Sequence, residues 1–302
     1  MRAAESVTRS RYASTLSASR VNPRSASARI AIVPNMSASK DAARKAQDST
    51  AFRVAARVGY VVLGLLHLVI GAIAISIATG AGGGEADQSG AMQQIREAPA
   101  GVFALWAVVV GLAALAAWQI AEALLERDPD TKKAWAHRVK YLGTAVTYLA
   151  IGATAAVFAV GGSSDSEDSA SSFSQTLMAA PAGVFLVGLV GLVILGIGVA
   201  FVFRGVTRKF EENLALPGGT ARKGIVAFGV AGYVAKGIAI GVAGILFLAA
   251  AVTHDPEAAG GLDAALKTLA ELPFGPAVLW IVGAGLILYG LFSIARARYA
   301  RM

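Results

Sequence analysis

The 302-residue sequence contains no cysteine and only three histidines. Without cysteine there is no disulfide framework, no thiolate metal ligand and no thiol nucleophile. The histidines are far apart and lack a spacing such as HxxxH, which would place two ligands on one helix face, although a fold can gather distant ligands. The sequence therefore predicts no metal site and no cofactor.

Charge is also scarce. Asp, Glu, Lys and Arg make up 15% of the residues, whereas 56% are apolar, which is too apolar for an ordinary soluble surface. The apolar residues form six runs that reach the roughly 20 residues needed to cross a hydrocarbon core as a helix. The runs are Val58–Ala78, Gly101–Ala121, Tyr141–Val160, Ala182–Phe203, Ile225–Val252 and Phe274–Ala295. They do not alternate as barrel strands do, so the predicted fold class is all-α, a polytopic transmembrane bundle of six helices.

The net charge of +8 is unevenly distributed. Fifteen Lys and Arg flank or join the runs on one side, whereas the opposite loops, 80–98, 161–180 and 253–272, hold two cations and ten Asp or Glu. Short basic loops stay in the cytoplasm, so we expect a bacterial inner-membrane protein with both termini cytoplasmic. The expected partners of the basic side are anionic lipid headgroups and not nucleic acid.

One pattern occurs three times. Each copy has a Gly-rich run entered through a Tyr, an acidic spacer, a Pro-x-Gly motif and a second apolar run. The motif residues are Tyr60 with Pro99 and Gly101, Tyr141 with Pro181 and Gly183, and Tyr233 with Pro273 and Gly275. We place the repeats at 52–130, 131–215 and 222–302. Because each copy contains two spans, successive copies enter the membrane in the same direction, which predicts parallel repeats with pseudo-threefold symmetry.

Each acidic spacer ends in a segment whose apolar residues lie on one helical face. These residues are Met92, Ile95 and Ala98, then Phe173, Leu177 and Ala180, then Leu266, Leu269 and Leu272. The spacing predicts short amphipathic helices lying on the outer leaflet. The proline that follows each of them is expected to open the next span.

Residues 1–50 are rich in Ser, Ala and Arg and contain no apolar core for a secretory signal. Their composition predicts a disordered basic tail, although it also resembles an organellar transit peptide. A second interpretation is that translation begins at Met36.

The first copy carries the sequence elements Ala56–Tyr60, Gly90–Met92 and Pro99–Gly101. The second and third copies carry less exact versions of these elements. Over about residues 52–302, the chain resembles a bacterial family called domain of unknown function 1206. The resemblance implies six spans in three two-helix repeats, no assigned activity and no catalytic residues to transfer. The copies differ where Lys140 and Ala145 replace Gly59 and Gly64, and where Val230 replaces Arg57, so we expect them to play unequal roles.

Lys236 lies inside an otherwise uncharged run, although a lysine at the bilayer centre costs roughly 2.5–3.5 kcal/mol. In repeat register it aligns with Thr144, and one helical turn further on lie His67 and Tyr148. The favoured interpretation is that Lys236 snorkels to the basic side and that His67 only bonds a neighbouring helix. The alternative is a candidate polar pocket of His67, Thr144, Tyr148 and Lys236 on the pseudo-threefold axis, suited to an anion, a lipid headgroup or a proton.

Other polar and small residues have simpler interpretations. Glu122, Arg204 and Arg296 share one register at the inner ends of the second spans and are expected to form a solvated rim. The motif tyrosines and Trp135 suit an interfacial belt. The Gly-rich faces of the fourth and fifth runs predict close helix packing, within the bundle or in a homo-oligomer.

Three functions fit these features. The favoured one is a non-enzymatic structural or lipid-contacting component of the inner membrane. The alternative is a small transporter or channel that uses the axial pocket. A membrane enzyme acting on lipids ranks last, because the acidic loops lack histidine apart from His254, and we predict that the chain is not an enzyme.

Overall fold

The computed structural model describes residues 49–81, 84–126 and 129–300. The predicted basic tail, except for its last two residues, and the alternative start at Met36 lie outside these ranges. Within them the chain folds into α-helices, two short 3-10 helices (Lys209–Asn213 and Pro256–Ala258) and one isolated bridge between Leu214 and Ala300. The α-helices are α1 Thr50–Ala78, α2 Gln88–Glu97, α3 Gly101–Leu125, α4 Thr131–Ala159, α5 Ser166–Met178, α6 Gly183–Val206, α7 Gly219–Thr253, α8 Leu262–Glu271 and α9 Gly275–Tyr299.

Six of these helices (α1, α3, α4, α6, α7 and α9) are long and apolar enough to cross a membrane. They coincide with the six apolar runs, which confirms the predicted all-α fold. Helix α1 begins at Thr50 instead of Val58, and α7 at Gly219 instead of Ile225, because helical hydrogen bonding continues into polar residues outside each run. Every repeat has the order long, short, long: α1–α3, α4–α6 and α7–α9.

The most extensive packing joins one repeat to the next. The second long helix of each repeat lies along the first long helix of the following one: α3 on α4, α6 on α7, and α9 on α1. Glycines of equal register make two of these contacts. A Cβ added to Gly71 would lie 2.6 Å from the Gly283 carbonyl oxygen, and one added to Gly244 would lie 2.5 Å from the Leu195 nitrogen. The glycine faces of α6 and α7 are therefore occupied within the chain, where they let the helix backbones approach.

In two repeats, the two long helices also pack against each other. In repeat 1, Gly59 of α1 packs against Gly111 and Leu115 of α3, and in repeat 3, Gly232 of α7 packs against Tyr289 of α9. In the described part of repeat 2, α4 and α6 make almost no contact. We call this separation the repeat-2 gap.

Two substitutions explain the repeat-2 gap. Lys140 of α4 occupies the register of Gly59 and Gly232, and Val193 of α6 occupies the register of Gly111. Side chains of this size prevent the backbone approach that paired glycines allow. Val193 is accordingly 54% exposed. The bundle thus departs from threefold symmetry at one hairpin, which gives physical form to the unequal roles expected of the copies.

The Pro-x-Gly motifs form tight turns between the short and long helices. The glycine nitrogen donates to a carbonyl three residues back, at 2.9 Å for Gly101, 2.9 Å for Gly183 and 2.6 Å for Gly275. The middle residue has φ near +60°, as position i+2 of a type II turn requires. A Cβ on Gly101 would collide with the Ile95 carbonyl oxygen, so glycine is needed there. The expectation that proline occupies the first turn of the next span is wrong, because each helix begins at the glycine.

The short helices cover the end of the bundle opposite the basic connections. Met92 of α2 and Leu266 of α8 are fully buried in the main hydrophobic core, and Leu269 is nearly so. The prediction that the apolar faces lie on the lipid is therefore wrong for α2 and α8, whose faces pack on the long helices. Phe173 of α5 remains 50% exposed.

Candidate functional site

A cavity of about 470 Å³ lies between long helices of all three repeats, in the half of the bundle that carries the basic connections. We call it the axial cavity. It is lined by Tyr60, Trp118, Gln119, Glu122, Lys140, Tyr141, Thr144, Tyr148, Ala200, Phe201, Arg204, Asn213, Tyr233, Tyr289, Arg296 and Ala300. The lining is therefore aromatic and polar, in a protein whose long helices are otherwise apolar.

The predicted polar pocket divides into two adjacent groups. Thr144 and Tyr148 line the axial cavity, where Thr144 Oγ1 donates a hydrogen bond to the Lys140 carbonyl oxygen at 2.8 Å. His67 and Lys236 do not line it. They lie behind Tyr289, a lining residue whose ring contacts both of them.

Lys236 and His67 form an inward-facing pair. Lys236 Nζ lies 2.9 Å from His67 Nε2, and His67 Nδ1 lies 2.7 Å from the Leu63 carbonyl oxygen. Because a carbonyl only accepts, Nδ1 carries the proton and Nε2 accepts from the lysine. Lys236 Nζ also lies 4.5 Å from the centre of the Tyr289 ring. The lysine therefore bonds across the bundle and does not snorkel to the basic side.

The three motif tyrosines line the axial cavity. Tyr60 and Tyr233 are only 5% and 3% exposed, and Tyr141 is half-buried. Their predicted placement in an interfacial belt is wrong for Tyr60 and Tyr233. The reason is that parallel repeats turn the same register of each first helix toward the common axis.

Among the described residues, four charged side chains line the cavity: Lys140, Arg204, Arg296 and Glu122. The predicted solvated rim is wrong for the last three, because their shared register turns all of them inward. The Arg296 guanidinium lies 4.4 Å from the centre of the Tyr60 ring, and that of Arg204 lies 5.6 Å from Tyr233. Arg204 Nε is buried and has no hydrogen-bond partner among the described residues.

The cavity opens on the side of repeat 2. Its exposed lining residues are Lys140 on α4, Ala200 on α6 and Asn213 in the segment after α6. The lining residues from repeats 1 and 3 are buried or half-buried. The opening therefore lies beside the repeat-2 gap.

Several lining residues, including Trp118, Phe201 and Tyr289, are not predicted by the sequence. Apolar and aromatic side chains in a membrane span carry no local sign that they face a cavity. Lys140 was recognisable as a departure from the repeat, but its consequence, an unclosed hairpin, depends on the helix that would have packed there.

A second polar cluster joins the connecting segments at the acidic end of the bundle. Asp263 accepts a hydrogen bond from the Ala86 nitrogen at 2.7 Å and pairs with Lys267 at 2.6 Å. Burial, together with the charges of Asp165 and Asp87, raises the pKa of Glu85 to about 7. In the described residues, no group of three His, Cys, Asp or Glu has the geometry of a metal site.

The Glu85→Gln variant is expected to alter the pH dependence of stability. Because the folded-state pKa of Glu85 is raised to about 7, its contribution is fully present below the unfolded pKa and is lost as pH rises through the folded value. The melting temperature of the natural chain in detergent should therefore fall, relative to the variant, between pH 5 and pH 8. Glu97→Gln, an exposed carboxylate at the end of α2, is the control. Melting temperatures that change in parallel with pH for the natural chain and the Glu85 variant would refute this prediction.

Comparison with known proteins agrees with the repeat architecture. The family described as Domain of Unknown Function (DUF1206) matches at residues 58–126, 139–208 and 231–300, one match in each repeat. The chain is also 29% identical over 252 residues to the "Uncharacterized protein YxxB" of Bacillus subtilis (strain 168), a match that covers 82% of this chain and 90% of that protein. No solved structure matches. With three tandem matches and six apolar helices, the chain is a multi-pass membrane protein that belongs to the DUF1206 family.

Proposed function

We propose that this protein is a non-enzymatic component of the bacterial inner membrane, with both termini in the cytoplasm, that takes a membrane lipid into its axial cavity. Entry is lateral, through the repeat-2 gap. One observation carries the proposal: α4 and α6, which both line the cavity, do not close against each other.

The surfaces on either side of the gap suit an amphiphile. Val193 and Ile197 on the α6 side of the gap are exposed and apolar, whereas Lys140 and Arg204 line the cavity. A molecule that enters from the bilayer therefore passes apolar side chains before it meets charged ones. Lipids have this order of polarity, with chains in the hydrocarbon and the headgroup at the charged end.

The charge distribution supports the proposed orientation of the protein in the membrane and the proposed depth of the axial cavity in the bilayer. The connections between repeats are basic and the opposite ends are acidic, which favours a cytoplasmic position for the basic side. The axial cavity lies in the basic half and is lined by side chains from the inner ends of α3, α6 and α9. It therefore sits at the level of the inner-leaflet headgroups, which include anionic lipids.

The lining favours binding over catalysis. Apart from tyrosines, the ionisable side chains on the described wall of the cavity are three cations and Glu122. Covalent catalysis generally requires a nucleophile held within reach of a general base, and the Thr144 hydroxyl on this wall instead donates to the Lys140 carbonyl oxygen. The lining supplies positive charge inside an aromatic wall.

The test is photolabelling in membrane vesicles with a phospholipid that carries a diazirine on one acyl chain. We expect adducts on cavity-lining segments of α4 and α6, mapped by mass spectrometry. The double variant Lys140→Gly, Val193→Gly restores the glycines found in repeat 1 and should let the hairpin close. Adducts inside the cavity should then be lost, while those on outward-facing Val146, which is 65% exposed, should remain.

Equal labelling of cavity and outer segments in both proteins would contradict lateral entry. So would an absence of cavity adducts in the natural chain when Val146 is labelled.

Transport is the second candidate, and the inward-facing Lys236–His67 pair favours it. Polar groups that bond across a membrane bundle often mark a translocation path. Thiol labelling in the same vesicles distinguishes the two functions. Because the chain has no natural cysteine, a cysteine introduced by mutation is the single reactive thiol. In a Thr144→Cys variant, lipid binding predicts reaction with a water-soluble thiol reagent from the cytoplasmic side alone. A transport path predicts reaction from both sides.

A further inference from the structure

We infer that the axial cavity holds the phosphate group of an anionic phospholipid between Arg204 and Arg296, with the acyl chains leaving through the repeat-2 gap. This rests on the proposed function and adds the chemical class of the ligand. The shared chemistry is a phosphate group, and the source we assign is lipid and not free phosphate.

The charge of the lining favours an anion. Among the described residues, Lys140, Arg204 and Arg296 face the cavity with one carboxylate, Glu122. These described groups leave two positive charges in excess within about 470 Å³. Such an excess, partly withdrawn from water, attracts a counter-ion more strongly than an exposed basic patch does.

The geometry of the arginines favours phosphate. Each guanidinium lies over a tyrosine ring, Arg296 over Tyr60 and Arg204 over Tyr233, which leaves the in-plane N–H groups free to point elsewhere. Arg204 Nε is buried and lacks a partner among the described residues. A buried donor of this kind requires an acceptor. Phosphate oxygens match the planar fork of an arginine and accept two parallel hydrogen bonds from it.

The tyrosines complete the proposed phosphate-binding site, which we call the phosphate seat. Among the described residues, five tyrosines line the cavity. Hydroxyls can donate to the remaining phosphate oxygens. The gap explains why the source is lipid: Val193 and Ile197, on the α6 side of the gap, are exposed apolar residues that acyl chains would contact and that a free phosphate would not.

The experiment measures binding to the purified full chain in detergent, by native mass spectrometry. The probes are phosphatidylglycerol, phosphatidylcholine and inorganic phosphate. We expect phosphatidylglycerol to bind at least about tenfold more tightly than phosphatidylcholine, and both Arg204→Gln and Arg296→Gln to weaken it at least about tenfold. Arg298→Gln, an exposed cation of the same helix as Arg296, should stay within about twofold.

A variant that is expected to bind more tightly controls for misfolding as a cause of lost binding. Glu122→Gln removes the opposing carboxylate and should tighten phosphatidylglycerol binding several-fold, which a damaged fold would not produce. Unchanged or weaker binding in that variant would overturn the inference.

The other outcomes separate the two proposals. Lipid that binds without headgroup preference, and equally in both arginine variants, would overturn the phosphate seat and leave the lipid cavity standing. Inorganic phosphate that competes fully with the lipid would overturn the lipid source. No lipid bound by any form would overturn the proposed function itself.

Discussion

Gly198→Val is expected to destabilise the protein by about 1–3 kcal/mol, the usual cost of overpacking. Gly198 of α6 lies in the interface with α7, the most extensive contact between two described helices. A Cβ placed there would lie 2.7 Å from the Gly241 nitrogen and 2.8 Å from the Gly237 carbonyl oxygen, both backbone atoms of α7. Backbone atoms cannot move aside as a flexible side chain does, so α6 would have to shift. The measurement is the thermal unfolding midpoint of the detergent-solubilised chain.

The matched control is Gly196→Val, two residues away on the same helix. Gly196 has nothing within 4 Å of its position for a Cβ, so the change should stay within about 0.5 kcal/mol. The comparison therefore isolates helix contact from helix propensity. Equal midpoints for the two variants would show that α6 does not pack on α7 through this face. Because Arg204 lies further along the same helix, the Gly198 variant should also weaken the binding of any ligand in the axial cavity.

The second large effect is expected at the Lys236–His67 pair. Lys236→Met keeps most of the side-chain volume but leaves His67 Nε2 without its donor. His67 is only 4% exposed, and an unsatisfied buried polar atom costs about 1–3 kcal/mol. His67→Phe should cost a similar amount, because it removes the acceptor from Lys236. The double variant should be close to the natural chain, since removing both partners is nearly neutral.

The measurable quantity is the coupling between the two changes. We expect the sum of the single effects to exceed the effect of the double variant by about 0.5–3 kcal/mol. Lys223→Met, an exposed lysine near the start of α7, is the control for simple loss of charge and should not couple to His67→Phe. Additive single effects would mean that the contact does not stabilise the fold.

The three copies have become specialised through a few residues. The pair Gly59 and Gly111 closes repeat 1, Gly232 against Tyr289 closes repeat 3, and Lys140 with Val193 keeps repeat 2 open. At the inner ends of the second helices, one register carries Glu122, Arg204 and Arg296. In this chain one of the three walls is therefore open, and the register carries a net positive charge.

Part of the candidate site could be predicted from the amino-acid sequence alone. Repeat register placed Thr144 and Tyr148 on an inward face and put Lys236 one turn from His67, because helical period and copy number fix which residues are equivalent. Register alone did not separate the lining residues from the pair behind Tyr289. It also did not show that Tyr60 and Tyr233 turn inward, since a tyrosine near a span end satisfies an interface equally well.

The sequence by itself determined the six spans, the three repeats, the basic and acidic ends and the register of the motifs. These properties depend on residues close together in the chain, on hydropathy over one span or on a fixed spacing. The tertiary structure decided which helix lies on which, and therefore the repeat-2 gap, the bond between Lys236 and His67 and the inward turn of the arginines. In lipid, no hydrophobic force selects between helix faces, so the choice depends on close contact between residues far apart in the chain. That complementarity exists only once all six helices are assembled.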